Sequence, residues 1–465
     1  METKALTSIA IIGAGPAGLA LALSLHMHAP HIRTSLYELR SPTTSLYGAV
    51  TFSPNSIQIL DKLGVYQRIK DHGFEFEDIV FKDSSNVTTD VYCMGKEQFG
   101  YKALRVYRRI VLRELRAVAA DRGISVFYGR KFSKVVDEGE EGVTFEFEDG
   151  TRESASLLVG ADGIHSPVRQ YIHPDASPIY SGNMCITSAV KRSQLRLPTP
   201  YFPLPSSISS TLGVVVLAPQ DPAGEEILVL TQRQHPEQDK EKWDIVRNNK
   251  HKLHSILQTG KETWPDVVQS ALEHLDIQKL SVWPFYLVPG LTTWKSEKGG
   301  VIIIGDAAHA IPPPAGQGAS QALEDAFSFS YLVSKLSKLD DRNEALMKWE
   351  KYRMARMERV TELTRKLSNR RLPAEALVKL LLEDVFVDGA KEGQSWLYEP
   401  RIEKTVDDLL SKLTKISDPA IESNLDLLSM LTTSKTPEPA VESKLAASLT
   451  AAALILSVSS GKAIA

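Results

Sequence analysis

Three clusters of glycine and acidic residues are spaced to hold a phosphorylated cofactor. The first is Gly13-Ala14-Gly15-Pro16-Ala17-Gly18, which follows an apolar run and opens an apolar stretch of helical length. Gly13 permits a tight turn, Gly15 lets backbone approach a pyrophosphate, and Gly18 lets a helix pack closely on a strand. Free N–H groups and the positive end of the helix dipole would face the phosphates. Glu38 follows Gly18 by 20 residues and closes the next strand, where its carboxylate can accept ribose hydroxyls. The second cluster runs Val159-Gly160-Ala161-Asp162-Gly163-Ile164-His165-Ser166-Pro167-Val168-Arg169. The third runs Gly305-Asp306-Ala307-Ala308-His309-Ala310 and continues through Pro312-Pro313-Pro314-Ala315-Gly316-Gln317-Gly318-Ala319-Ser320 to Glu324-Asp325-Ala326. In both, an apolar strand-like run feeds a glycine turn and an acid.

These clusters need an α/β frame. Residues 7–12 read as a buried parallel strand, Pro16 to Met27 as a helix and Ser35–Glu38 as the second strand of a βαβ unit. Pro54 to Leu63 and Arg108 to Ala120 read as helices, the latter with Leu112, Leu115 and Val118 on one face. Ser125 to Tyr128 reads as a strand. Asp149-Gly150 marks a hairpin between Val143–Glu148 and Thr151–Leu158. From about 180 to 288 the pattern changes to alternating β segments, such as Thr211–Leu217 and Glu226–Gln232, with proline-rich joints. The α/β pattern returns at Val301–Ile304, then helices extend to about Leu336 and over 342–368 and 373–385. The expected division is 1–179 and 289–370 for the two parts of a nucleotide-binding domain, 180–288 for an inserted sheet domain, and 371–465 for a helical extension.

Composition narrows the function classes. The formal charge is -3, from 54 Lys and Arg against 57 Asp and Glu, so nothing electrostatic argues for nucleic acid as a partner. Two cysteines, Cys93 and Cys185, exclude a disulfide framework and favour a reducing, cytoplasmic setting; no His pair joins them at metal-site spacing. Ala5 to Ile32 carries no Asp, Glu, Lys or Arg, but its glycines and proline read as strand, turn and helix rather than a cleaved signal. The segment from about Ser417 reads as a linker ending in Leu445–Gly461, seventeen residues without charge. A membrane span takes about 20 apolar residues. This shorter run, rich in Ala and Ser, therefore reads as a docked or frayed helix, with membrane contact the less favoured alternative.

Together the three clusters resemble those of the group A FAD-dependent monooxygenases, the p-hydroxybenzoate hydroxylase-like family, and within it most resemble fungal salicylate hydroxylase-like enzymes. Gly48-Ala49-Val50 with Pro54-Asn55, Tyr107-Arg108 with Val111, Leu112 and Leu115, and Trp283-Pro284 with Trp294 extend the resemblance over about residues 8 to 365. It implies a Rossmann-type FAD-binding domain with an inserted β-sheet substrate domain and a helical C-terminal region. It implies FAD as the bound cofactor, with NAD(P)H and O2 as co-substrates and a small organic substrate, aromatic or isoprenoid-like, hydroxylated or epoxidised through a flavin hydroperoxide. Secondary metabolism is the implied setting.

By the same resemblance, Gly13, Gly15, Gly18 and Glu38 would hold the adenosine half of FAD, and Ala49 would lie against the flavin through its backbone. Arg108, or Arg109 one register later, would contact FAD near the pyrophosphate. Asp162 would serve FAD and NAD(P)H handling, and Asp306 the ribityl or pyrophosphate region. Gly318 and Ala319 would present N–H groups to the isoalloxazine edge. No second dinucleotide fingerprint and no redox cysteine pair occur, in keeping with a transiently bound NAD(P)H. Relatives acting on phenolates often carry an Arg on the strand entering the substrate sheet, where this chain has Thr187; Lys191 and Arg192 are out of register and read as a solvated turn. That departure argues against a simple anionic aromatic acid. His309, Trp283 and Trp294 read as packed residues, and Tyr107, Tyr180 and His165 are weak candidates for a base. The alternatives are a flavin oxidase or dehydrogenase, and a non-catalytic flavin-binding regulator.

Overall fold

The computed structural model describes residues 6–44, 48–336, 341–372, 379–381, 384–385 and 393–414. The segment Leu445–Gly461 and most of 373–385 lie outside them. A five-stranded parallel sheet forms the centre, in the spatial order Val301–Ile303, Leu157–Gly160, Ser8–Ile12, Arg33–Glu38 and Ser125–Tyr128. Ser8–Ile12 lies at the middle and buries Ile9, Ala10, Ile11 and Ile12 almost completely, as a strand covered on both faces must. Helix Pro16–His28 is apolar all round because it is sandwiched: Leu19, Leu21, Leu23 and Leu25 are all fully buried. Helix Gly318–Leu336 packs along it.

The run expected as one strand over Thr151–Leu158 is two. Arg152–Ala155 pairs antiparallel in the hairpin with Gly142–Phe147, while Leu157–Gly160 turns into the parallel sheet beside Ser8–Ile12. The hairpin signal was local, but the parallel partner lies far away in sequence, so pattern alone could not divide the run.

The inserted domain is a seven-stranded sheet in the order Ser281–Leu287, Ile179–Lys191, Glu226–Gln234, Gly213–Pro219, Ser206–Ser210, Asp78–Lys82 and Thr88–Cys93. Its last two strands come from the first nucleotide-binding segment, so the sheet bridges the boundary drawn at 180. One face carries Met184, Ile186, Val190, Ile227 and Val229 into a core with Trp243, Leu253 and Val268 from the helices of 240–273. The other face looks toward the nucleotide-binding domain. Tyr107, on the strand Ala103–Tyr107, reaches that face and donates its hydroxyl to Glu226 Oε1 at 2.6 Å.

Candidate active site

The first fingerprint has the geometry its glycines require. Gly13 has φ +101°, and a Cβ there would stand 2.4 Å from the Ala161 carbonyl; at Gly18 a Cβ would strike the Gly13 carbonyl at 1.9 Å. Gly15, just before helix Pro16–His28, is different: a Cβ would meet nothing within 4 Å. Gly13 and Gly18 thus serve packing, whereas Gly15 leaves the helix N-terminus open to a phosphate. Glu38 is held by two backbone donors, Ala14 N at 2.8 Å on Oε2 and Arg40 N at 2.9 Å on Oε1. A carboxylate has about four acceptor sites, so capacity for a diol remains.

The second and third motifs are tied together by Arg169, to which no motif role attaches in the sequence. Arg169 is buried and donates to the carbonyls of Ala307 at 3.0 Å, Ile164 at 2.6 Å and Ala176 at 3.2 Å. Ser166 caps the helix Pro167–Ile172, and Asp162 Oδ2 accepts from Val168 N in its first turn at 3.2 Å. Its Oδ1 is buried without a partner among the described residues. Burial raises this carboxyl to about pKa 6 against the pull of Ser166, Val168 N and Arg169.

Asp306 begins the short helix Asp306–His309 and is exposed. Arg108, at the start of helix Arg108–Asp121, is the motif arginine facing it. The Arg108 guanidinium is solvent-accessible but so deeply set that desolvation lowers its pKa, opposed by the Asp306 charge. Arg108 lies over the Trp283 ring at 5.5 Å, whereas Arg109 lies over Tyr107. That places Arg108 in the cleft. Trp283 is 38% exposed, so it lines the cleft rather than the core, while Trp294 is buried at 2% against Trp349 and His309.

Around the loop Pro312–Gly318 stands a buried polar network. Asp325 accepts from Gly305 N at 2.9 Å, His309 Nε2 at 2.5 Å and Arg353 Nε at 2.8 Å. Glu324 accepts from Asn55 at 2.6 Å and Arg353 at 2.8 Å, and also pairs with Arg356. Gln317 donates to Ser53 at 2.9 Å. Despite burial, both carboxyls are held below their usual range by these cations. His309 is therefore a packed, hydrogen-bonded residue. The network pins the loop whose end, Gly318-Ala319, opens helix Gly318–Leu336; Gly318 has open space where a Cβ would be. Ala49, after Gly48 at φ +84°, pairs with Tyr107 on the neighbouring strand, so its backbone borders the same cleft.

None of the candidate bases is set up for the task. Tyr107 is pushed well up by burial and its bond to Glu226. Tyr180 is pushed up to about 12 by burial and donates to the His235 carbonyl. His165 is lowered by desolvation and by Arg169, and lies beside Tyr286. An open hollow of about 450 Å³ at Ser181–Asn183 and Gln234–Pro236 touches no motif residue, so it is not the active site. Among the described residues no cluster could hold a metal ion, and no helix is long and apolar enough to cross a membrane.

The cleft thus presents an open helix N-terminus, a Glu38 carboxylate anchored by two backbone donors, Arg108 over the Trp283 ring and a buried Asp162 carboxyl oxygen without a partner among the described residues, a donor and acceptor set that fits FAD. The FAD binding domain family profile matches residues 6–365. The 6-methylsalicylate 1-monooxygenase of Aspergillus terreus is 26% identical over 415 residues, covering 84% of this chain and 86% of that enzyme. A salicylate hydroxylase of Pseudomonas putida is 28% identical, covering 70% of this chain and 76% of its own length. Among solved structures, a salicylate hydroxylase substrate complex superposes with TM-score 0.69 at 20% identity, over 87% of this chain and 98% of that one. HpxO of Klebsiella pneumoniae, complexed with FAD and uric acid, gives 0.67 at 20% identity, over 88% and 97%.

The chain belongs to the FAD-binding-domain family and has its p-hydroxybenzoate hydroxylase-like fold. It is an FAD-dependent oxidoreductase related to the salicylate hydroxylase-type monooxygenases, and FAD is its cofactor.

Proposed function

We propose that the protein uses NAD(P)H and O2 to insert one oxygen atom into a small, ring-bearing organic substrate held between the seven-stranded sheet and the cofactor domain. The observation that supports this is the placement of Arg108 over the ring of Trp283, at 5.5 Å, on the strand at the edge of that sheet. Bound FAD supplies hydride acceptance from NAD(P)H and activation of O2. The chain's own residues supply position and shelter. Gly15 and Glu38 orient the adenosine half, Arg108 neutralises phosphate charge, and Asp306 accepts from the sugar-like chain. Ala49, Gly318 and Ala319 present backbone to the flavin, and Asp162 links the cofactor to the nicotinamide donor.

The apolar patch on the sheet face would exclude water once substrate covers it. Val216, Leu228 and Leu230 lie near its middle, are half-buried, and among the described residues join neither packed core. A dry surface of that kind protects a reactive oxygen donor from wasteful decay. With no poised base, a substrate that arrives electron-rich or already ionised suits the site.

NAD(P)H consumption by the holoenzyme, with and without phenols, indoles and isoprenoids, is the deciding measurement. Stimulation by one compound with a single added oxygen by mass is the expected result. Flavin bleaching by substrate alone, with no reduction by either nicotinamide, would instead establish an oxidase. Bound FAD with neither reaction would establish a non-catalytic flavin protein.

A further inference from the structure

Asp306 is the exposed acid of the third motif, and among the described residues no hydrogen bond holds its side chain. Its carboxylate is therefore aimed by the backbone of the turn that carries it. That turn closes on its own first carbonyl: Gly305 O accepts from Ala308 N at 2.8 Å and from His309 N at 2.9 Å. Gly305 has φ +60°, and a Cβ there would stand 3.1 Å from Ala17 Cβ and 3.2 Å from Ala322 Cβ. The turn thus sits where helices Pro16–His28 and Gly318–Leu336 meet. Asp325 follows Ala322 by three residues, so it lies on the same face of its helix, about one turn further along.

One oxygen of Asp325 spans the turn. Oδ2 accepts from Gly305 N at 2.9 Å, just before Asp306, and from His309 Nε2 at 2.5 Å, at the turn's end. Oδ1 accepts from Arg353 Nε at 2.8 Å, which fixes the plane of the buried carboxylate. A third hold comes from the side, where Arg169 Nη1 donates to the Ala307 carbonyl at 3.0 Å. The neighbouring acid provides a comparison within the same helix. Glu324 is equally buried and shares Arg353, yet among the described residues it bonds to Asn55, Gln321 and Arg356 and to nothing in 305–309. A ligand-binding group works best when its supporting residues lock it before the ligand arrives, because less ordering is then lost on binding.

We propose that Asp325 is a positioning residue for the cofactor: by holding Gly305 and His309 with one oxygen, it aims the Asp306 carboxylate at the sugar-like chain of FAD. This rests on the assignment of Asp306 to FAD made above. It also makes His309 the far anchor of the turn.

The test is a set of double-mutant cycles on the FAD-loaded protein, read by flavin fluorescence on dilution. Asp306→Ala alone should weaken FAD retention by about 10- to 100-fold, and Asp325→Asn alone by about 10-fold. In the Asp306→Ala background, Asp325→Asn should add less than about 3-fold, because the carboxylate it aims is gone. Glu324→Gln, which acts through Asn55 and the Gln317 loop, should cause the same loss in both backgrounds. His309→Leu should behave as Asp325→Asn does, and His309→Gln, whose amide can still donate to Asp325, should recover most of the affinity. This second pair decides the matter where Asp325→Asn does not fold. Unchanged retention in Asp306→Ala would sink the assignment of Asp306 to FAD. A loss in Asp306→Ala, with the full further loss from Asp325→Asn or His309→Leu on top of it, would keep Asp306 at the cofactor and overturn the positioning role, since a merely structural acid behaves that way. Equal losses in His309→Leu and His309→Gln would overturn it too.

Discussion

At Asp162, burial and hydrogen bonds from Ser166 and Val168 N pull the carboxyl in opposite directions, and burial wins. The pKa rises from 3.8 to about 6, so the folded chain holds the proton more tightly than the unfolded chain does. Stability therefore falls as pH rises between those values, and above about pH 6 the whole cost, at most about 3 kcal/mol, is present. Asp162→Asn keeps an acceptor for Val168 N and removes the charge. Urea denaturation of the cofactor-free protein should show the wild type losing more stability than the variant between pH 4.5 and pH 7.5; parallel losses would refute the buried-carboxyl account. Arg108 makes the complementary case. Charge-assisted hydrogen bonds contribute about 1.5–3 kcal/mol, so Arg108→Ala should weaken FAD retention by about 10- to 100-fold. Arg109→Ala, whose side chain lies over Tyr107, should change it by less than 3-fold. Flavin fluorescence on dilution reads both, and equal losses would show that the register had been assigned to the wrong arginine.

Among the elements, helices Gly318–Leu336 and Arg342–Asn369 are joined by charge as well as by packing. Arg353 is fully buried and bonds to Asp325, Glu324 and the Gln321 carbonyl. Removing one partner of such a set strands the others, a loss of about 3–5 kcal/mol. Arg353→Met should lower the free energy of unfolding by that amount and loosen FAD, because Asp325 also holds Gly305 and His309. Thermal and chemical denaturation check the first effect, and a loss below about 1 kcal/mol would contradict it. Glu324-Asp325 ends the third motif, yet no spacing rule ties Asp325 to Arg353, 28 residues on, because the pairing depends on how two helices cross. Gly13, Gly15, Gly18 and Glu38 were legible because a βαβ unit is local and its glycines carry specific steric duties. Arg169 was not, since it acts through segments brought near only by the parallel sheet. Trp283 was misjudged as core for the same reason: its strand is buried on one face only.

For the molecule as a whole, the decisive feature is the seam between the inserted sheet and the nucleotide-binding domain. The bond from Tyr107 to Glu226 crosses it, and Gln220 and Lys279 also donate to Glu226, at 3.1 Å each. Because the sheet shares strands with the first nucleotide-binding segment, the seam is continuous at the Asp78–Lys82 side and held by side chains at the Glu226 side. Tyr107→Phe removes one hydrogen bond and keeps the ring, so global stability should fall by only about 0.5–1.5 kcal/mol. The larger effect belongs to chemistry. If the sheet keeps water from the flavin, loosening its edge should divert reducing equivalents to H2O2. The variant is expected to oxidise NAD(P)H at a rate within a few-fold of the wild type while the fraction recovered as H2O2 rises at least 2-fold and oxygenated product falls to match. Glu226→Gln, which keeps an acceptor for the phenol, should lie between the two. Peroxide and product measured on the same samples decide it. An unchanged peroxide fraction in Tyr107→Phe would mean that the apolar face of Val216, Leu228 and Leu230 excludes water without help from this seam.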